Sequence, residues 1–169
     1  YIHNNNNWNA TATDNSGTVQ SLTYTLEYLT DPTQTITVTD NTTLNGQNFP
    51  YGTTKVTWTA TDAAGNAQTC SFNVEVIDNT DPVITCKKTT DTTVVPNTTG
   101  NIYTFVGTEN WGATATDNVG VDSIYYTLSG ATVSATHNTS MTGQQFSYGT
   151  TTVTWTATDK AGNKAPCSF

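Results

Sequence analysis

The chain has 169 residues, with thirteen acidic side chains set against five lysines and no arginine, giving a net charge of -8 and a pI near 4.2. No basic stripe exists to neutralise phosphates, which excludes nucleic acid as a partner; the same acidity repels an anionic membrane surface and suits divalent cations. Charged residues make up 11% of the chain against 41 threonines and 18 asparagines, so its surface is hydrated by hydroxyls and amides, and the scarcity of good helix formers predicts an all-β fold.

In chain order, the opening YIHNNNNW lacks the positive start and apolar centre of a signal peptide, and no run of about 18 apolar residues follows anywhere, so neither leader nor membrane insertion is predicted. WNATATDNSG at residues 8–17 reads as a short strand and a turn. In TKVTWTATD the residues Val56, Trp58 and Ala60 share one face and Thr57, Thr59 and Thr61 the other, the alternation of an antiparallel strand with one buried and one wet side. DAAGN then reads as a hairpin turn, and CSFNVEV, PVITC, NIYTFVG, DSIYYTLSG and ATVSATH as further short strands punctuated by Asn, Asp and Gly.

Much of this order occurs twice. WNATATDNSG returns as WGATATDNVG at residues 111–120, an offset of 103, and FPYGTTKVTWTATDAAGNAQTCSF at 49–72 returns as FSYGTTTVTWTATDKAGNKAPCSF at 146–169, an offset of 97. The first copy therefore holds six extra residues, placed around LEYLTDPTQTITVTDNTTLNG. A period near 100 residues marks an array of domains, because solenoid repeats are shorter. Two antiparallel β-sandwiches of about seven strands each are expected, at residues 1–78 and 79–169, with Trp58 and Trp155 as core anchors. Aligning residue 1 with Thr104 puts both chain ends inside strands, so the first repeat should lack its first strand and the second the end of its last. On that reading the chain is a window on a longer tandem polymer.

Cys70 and Cys167 occupy equivalent positions in the last strand of each copy, while Cys86 lies in the first strand of copy two. The repeat therefore predicts a Cys86 to Cys167 disulfide and assigns the partner of Cys70 to the first strand that copy one lacks. A loop of that size contributes about 4 kcal/mol in the chain-entropy account, and a disulfide in a small acidic β-domain implies an extracellular or periplasmic setting.

Taken together, DPVITC, ATDNVG and FSYGTTTVTWTATDKAGNKAPCSF in this order resemble the hyalin repeat (HYR) family of immunoglobulin-like β-sandwiches. The likeness covers nearly all of copy two and copy one from its second strand onward; a proline that usually follows the first cysteine is replaced by Lys87. The resemblance implies secreted, cell-surface adhesion or stalk modules, found in animal matrix proteins and in long repetitive bacterial surface proteins. Richness in Thr and Asn without arginine looks more like the bacterial group, Bacteroidota adhesins among them. A sandwich fold by itself implies no chemistry.

The recurring loops hold the candidate sites. An immunoglobulin-like topology brings TDNVG, TDKAGN and the incoming DNTDP to one end, gathering Asp78, Asp81, Asp117, Asn118 and Asp159, with Asn79 nearby, as oxygen donors suited to Ca²⁺; Asp14 and Asp62 are the weaker counterparts in copy one. Pure turn chemistry is the alternative, since Asp caps a turn through its own side chain and Gly accepts positive φ. An enzyme is not expected: His3 and His137 fall at unequal positions, and the carboxylate pairs Asp14 with Asp62 and Asp117 with Asp159 sit in open hydroxyl-rich loops. Asn9, Asn41, Asn97 and Asn138 lie in N-glycosylation sequons, and Thr92 and Ser123 resemble the Bacteroidota O-glycosylation acceptor. The function expected is a non-enzymatic structural or adhesive repeat within a long fibre or stalk, with neighbouring repeats and identical chains in a filament as partners. Its alternative is a module that binds glycan or another surface ligand.

Overall fold

The computed structural model describes residues 1–5, 7–29, 35–38, 43–107 and 110–169, with side chains left aside at 35–38 and 136–138. Every regular element among them is a β-strand, and the chain divides into two compact units, Tyr1–Ile77 and Asp78–Phe169. The division falls one residue before the expected boundary, because Asp78 is tied by its side chain and carbonyl into the second unit.

In the first unit, β1 (Val19–Tyr28), β2 (Thr35–Val38), β3 (Gly52–Asp62) and β4 (Ala67–Val76) form an antiparallel sheet in the order β2-β1-β3-β4. The alternation of TKVTWTATD is realised in β3, where Thr54, Val56 and Trp58 are buried. Trp58 stands at the centre of a cluster with Tyr24, Leu26, Leu44, Phe49 and Val74. Its indole N–H, which could not be buried unpaired without cost, donates to the carbonyl of Trp8 at 3.2 Å. Residues 10–13 form no strand.

The second unit adds to this plan. β8 (Val121–Gly130), β9 (Ser134–Asn138), β11 (Thr151–Asp159) and β12 (Lys164–Ser168) form the matching sheet, in the order β12-β11-β8-β9. β5 (Val83–Cys86) pairs with β7 (Ala113–Thr116), and β6 (Tyr103–Thr104) with β10 (Gln145–Phe146), all antiparallel. Trp155 donates to the Trp111 carbonyl at 2.8 Å and packs with Tyr126, Leu128, Val153 and Met141. Truncating such a buried tryptophan to alanine costs about 3–5 kcal/mol. Cys86 and Cys167 are joined as a disulfide, 81 residues apart in sequence, clipping the first strand of the unit to the last. Each unit is an immunoglobulin-like, all-β arrangement, and what differs is the pairing that β5 brings.

The alignment of the chain start needs a correction. Phe49 N–H donates to Tyr1 O and His3 N–H to Gln47 O, while Phe146 pairs with Tyr103 and Phe105 N–H donates to Gln144 O. Tyr1 therefore matches Tyr103 rather than Thr104, and His3 takes the place of Phe105. The path to the following tryptophan is one residue shorter in the first copy, which a constant offset cannot show. His3 is fully buried, stacked on Trp8 with ring centroids 3.9 Å apart, and neither ring nitrogen has a hydrogen-bond partner.

Candidate functional site

Each sandwich closes its last hairpin with the same turn, Asp62 to Asn66 and Asp159 to Asn163, differing only at Ala63 and Lys160. In the first unit, Asp62 N–H donates to Asn66 O at 3.0 Å, and the Asp62 carboxylate accepts from the Asn66 backbone N–H at 2.8 Å and its side-chain amide at 2.7 Å. In the second, Asp159 Oδ1 accepts from Ala161 and Asn163 N–H at 2.8 and 2.9 Å, and Oδ2 from the Asn163 amide at 2.8 Å. Gly65 and Gly162 sit at φ of 88° and 93°, the left-handed region that the turn demands. Asp and Asn thus clasp each other across the turn. The recurrence of Asn66 at Asn163 was the signal in the sequence for a partner that residue-type reasoning on the aspartates alone passed over.

The clasps differ in what lies around them. Asn163 also donates to the backbone carbonyls of Asp78 at 3.0 Å and Thr80 at 3.3 Å, pinning the segment ahead of β5 to the hairpin. This brings the carboxylates of Asp78, Asp117 and Asp159 together, with one oxygen of each within 4.8 Å of the others. Asp78 Oδ1 accepts from Thr80 N–H at 3.0 Å and from the Asn118 amide at 3.2 Å. Asp117 Oδ1 accepts from Val119 and Gly120 N–H, both at 2.8 Å. The second oxygens of Asp78 and Asp117 are buried and have no hydrogen-bond partner.

Of the donors expected from sequence, Asp78, Asp117 and Asp159 converge. Asn118 reaches Asp78 through its N–H₂ group, and Asp81 and Asn79 are exposed outside the trio. In the first unit, Asp14 is bonded by the Ser16 hydroxyl and N–H, which hold its carboxyl below the usual range, while the nearby Asp62 pushes the other way. The Asp62 carboxyl is held low by the Asn66 side chain first and the turn N–H groups next. For Asp159, burial pushes the carboxyl up, but hydrogen bonds from the Asn163 side chain and the backbone N–H groups of Asn163, Ala161 and Gly162 together outweigh it, leaving the group below its ordinary value. Three carboxylate side chains with two spare buried oxygens, and neither sulfur nor imidazole among the donors, are the chemistry of a hard cation.

The other candidates are placed as follows. Asn9 donates its amide to Thr43 Oγ1 at 3.2 Å and accepts from Leu44 N–H at 2.9 Å; Asn97 donates to Thr104 O at 2.9 Å and accepts from Thr104 N–H at 2.8 Å. Both sequon amides act as backbone mimics that bridge loops. Thr92 is exposed, and Ser123 is half-buried in β8. Asn41 lies outside the described residues, as do the side chains of Asn138 and His137. Tyr24 and Tyr28 of β1 and Tyr126 of β8 are buried. Cys70 is an exposed free thiol.

Two antiparallel immunoglobulin-like sandwiches, one stapled from first strand to last and both closed by an Asp–Asn clasp, define a repeat module. The sequence profile of the HYR domain matches the chain twice, over residues 2–76 and 77–169, and the chain belongs to that family. It is 36% identical over 152 residues to hyalin of Strongylocentrotus purpuratus, covering 84% of this chain and 11% of that protein. To hyalin of Lytechinus variegatus it is 34% identical over 148 residues, covering 86% and 25% respectively. It is also 31% identical over 123 residues to the Sushi, von Willebrand factor type A, EGF and pentraxin domain-containing protein 1 of Mus musculus, covering 72% of this chain and 3% of that protein. The chain spans a quarter or less of the length of these relatives. In these terms it is a repeat module of the extracellular, adhesion-associated kind.

Proposed function

We propose that the chain is a load-bearing, non-enzymatic segment of a long tandem-domain fibre or stalk outside the cell. What carries this reading is the use to which the duplicated residues are put. The recurring pairs Trp8 and Trp111, Trp58 and Trp155, Tyr24 and Tyr126, Phe49 and Phe146, and Phe72 and Phe169 all go to the two cores, with Tyr51 and the exposed Tyr148 the exception, and the recurring Asp, Gly and Asn close the final hairpins. A module selected for a reactive or ligand-reading surface would repeat that surface; here the scaffold is what repeats. Neighbouring repeats are then the principal partners, and identical chains the candidate partners for lateral packing into a filament. Single-molecule stretching tests the mechanical reading directly, with the expected lengths worked out in the Discussion.

Ca²⁺ is proposed as the ion held by Asp78, Asp117 and Asp159. The reading is supported by the approach of the three carboxylates and by the two buried oxygens left over once every turn hydrogen bond is counted. Six to eight oxygens are usual for this ion, so backbone carbonyls and water would complete the shell. Bound there, it would neutralise the trio and fix the segment before β5 against both loops. Isothermal titration with CaCl₂ is expected to show one site in the second repeat that Asp117→Asn removes, with a melting temperature that falls on adding EDTA. No heat of binding and no EDTA shift would sink the ion and leave the clasp as pure turn chemistry.

A further inference from the structure

Both repeats carry the same small backbone latch ahead of their first tryptophan. In the first unit, Gly46 N–H donates to His3 O at 2.6 Å and the backbone N–H of His3 to Gln47 O at 3.0 Å; in the second, Gly143 N–H donates to Phe105 O at 2.8 Å and Phe105 N–H to Gln144 O at 2.9 Å. The side chain held under each latch is buried and packs on the tryptophan that follows it, His3 on Trp8 with ring centroids 3.9 Å apart and Phe105 on Trp111 at 4.8 Å. The latches agree in their backbone bonds and in their tryptophan, and differ in the ring they enclose: one can take up a proton and the other cannot.

We infer that His3 makes the first latch an acid switch: on taking up a proton the ring leaves its place under Trp8, residues 1–3 part from residues 46–49, and the first repeat loosens while the second does not. Neither ring nitrogen of His3 has a hydrogen-bond partner among the described residues, and imidazolium would bring a second N–H donor and a full charge into the same buried place. The titratable groups around it are the phenol and α-amine of Tyr1, whose ring lies 6.4 Å away, and, through Gln47, the phenol of Tyr24 from β1. That amine donates to Phe49 O at 2.9 Å and the Tyr24 hydroxyl to Gln47 Oε1 at 3.1 Å, and residues 43–49 hold no charged side chain. None of these groups supplies a negative charge near neutral pH. The face of Trp8 attracts a cation, but that attraction is small beside the cost of burying an unpaired charge. A released imidazole gains its proton around about pH 6.5, so the latch is at full strength above that value and weakens as the pH falls below it, well before carboxylates begin to protonate at about 4. In a fibre the first repeat would then yield in acid while the second held; that consequence rests on the load-bearing reading, whereas the switch itself does not.

Amide hydrogen exchange on the chain as it stands, at about pH 7 and about pH 5, tests the switch. With proton uptake confined to the released form, the protection factors of the His3, Gly46 and Phe49 amides, which bond across the latch, should fall about 25-fold between the two conditions. Those of Phe105 and Gly143, the matching amides of the second unit, should hold steady, and His3→Phe should abolish the fall. An NMR titration of the wild-type imidazole signals gives a reading that needs no variant: the His3 signal, assigned through its contacts with Trp8, should keep its neutral position for as long as Gly46 stays protected. A His3 signal that moves to the protonated position while Gly46 remains protected would overturn the assignment, as would an equal fall at Gly143 or a fall that survives His3→Phe.

Discussion

Stretching the chain by its two ends, with Cys86–Cys167 intact and again after reduction, puts a length on the load-bearing account. The disulfide joins residues 81 apart in sequence, within the unit Asp78–Phe169. Force applied to that unit passes from the first strand through the two sulfurs to the last strand, and only residues 78–85 and 168–169 lie outside the clip, worth about 35 Å at about 3.6 Å per residue. Reducing the bond frees the enclosed segment and adds about 290 Å of contour length. Tyr1–Ile77 contains a single cysteine, free Cys70, so its unfolding should release about 280 Å less its folded length under either condition. Force spectroscopy on the oxidised chain should therefore show one long step, and the reduced chain two. Two long steps before reduction would refute the reasoning, because the clip would not be carrying the load.

Asn163→Ala removes the donor to Asp159, Asp78 O and Thr80 O, whereas Asn66→Ala loses only the clasp to Asp62; urea unfolding should show the second repeat destabilised by about 1–3 kcal/mol and the first by less. Three aspartates, Asp14, Asp62 and Asp159, have carboxyls held below their ordinary values. Their stabilisation should be complete above the unfolded value of about 4 and be lost as the pH falls through the folded ones; Asp62→Asn should flatten the acid limb of a melting curve followed against pH. His3→Phe places in the first repeat the residue its twin carries and removes two unpaired buried nitrogens; differential scanning calorimetry should show a gain of about 1–3 kcal/mol, and a loss would mean that the imidazole is better accommodated than its contacts indicate.

Much of the architecture was written in local pattern. Alternation in TKVTWTATD and TTVTWTATD is enough to build β3 and β11, because burying every second side chain leaves the backbone no other economical path. The Cys86 to Cys167 link followed from comparing the copies, a form of evidence independent of local propensity. What was not legible depends on chain path. Which acid of DNTDP turns inward is decided by Asn163, 85 residues from Asp78, whose amide grips that segment's carbonyls and leaves Asp81 outside. The bridging roles of Asn9 and Asn97 likewise rest on partners that share no periodicity with them, so the sequon pattern was visible while the structural role was hidden. His3 escaped notice as a core residue because a histidine beside four asparagines carries no apolar signal; its burial follows from the backbone bonds to Gln47 and Gly46 that draw it under Trp8.

Electron microscopy of head-to-tail fusions carrying one, two and four copies of this chain tests the extension claim most directly. A strand of eight to ten residues spans roughly 30 Å, so with loops each repeat should add roughly 40 Å and the particles should appear as beaded strands whose length rises linearly with copy number. Compact particles whose longest dimension fails to grow with the number of repeats would contradict the account.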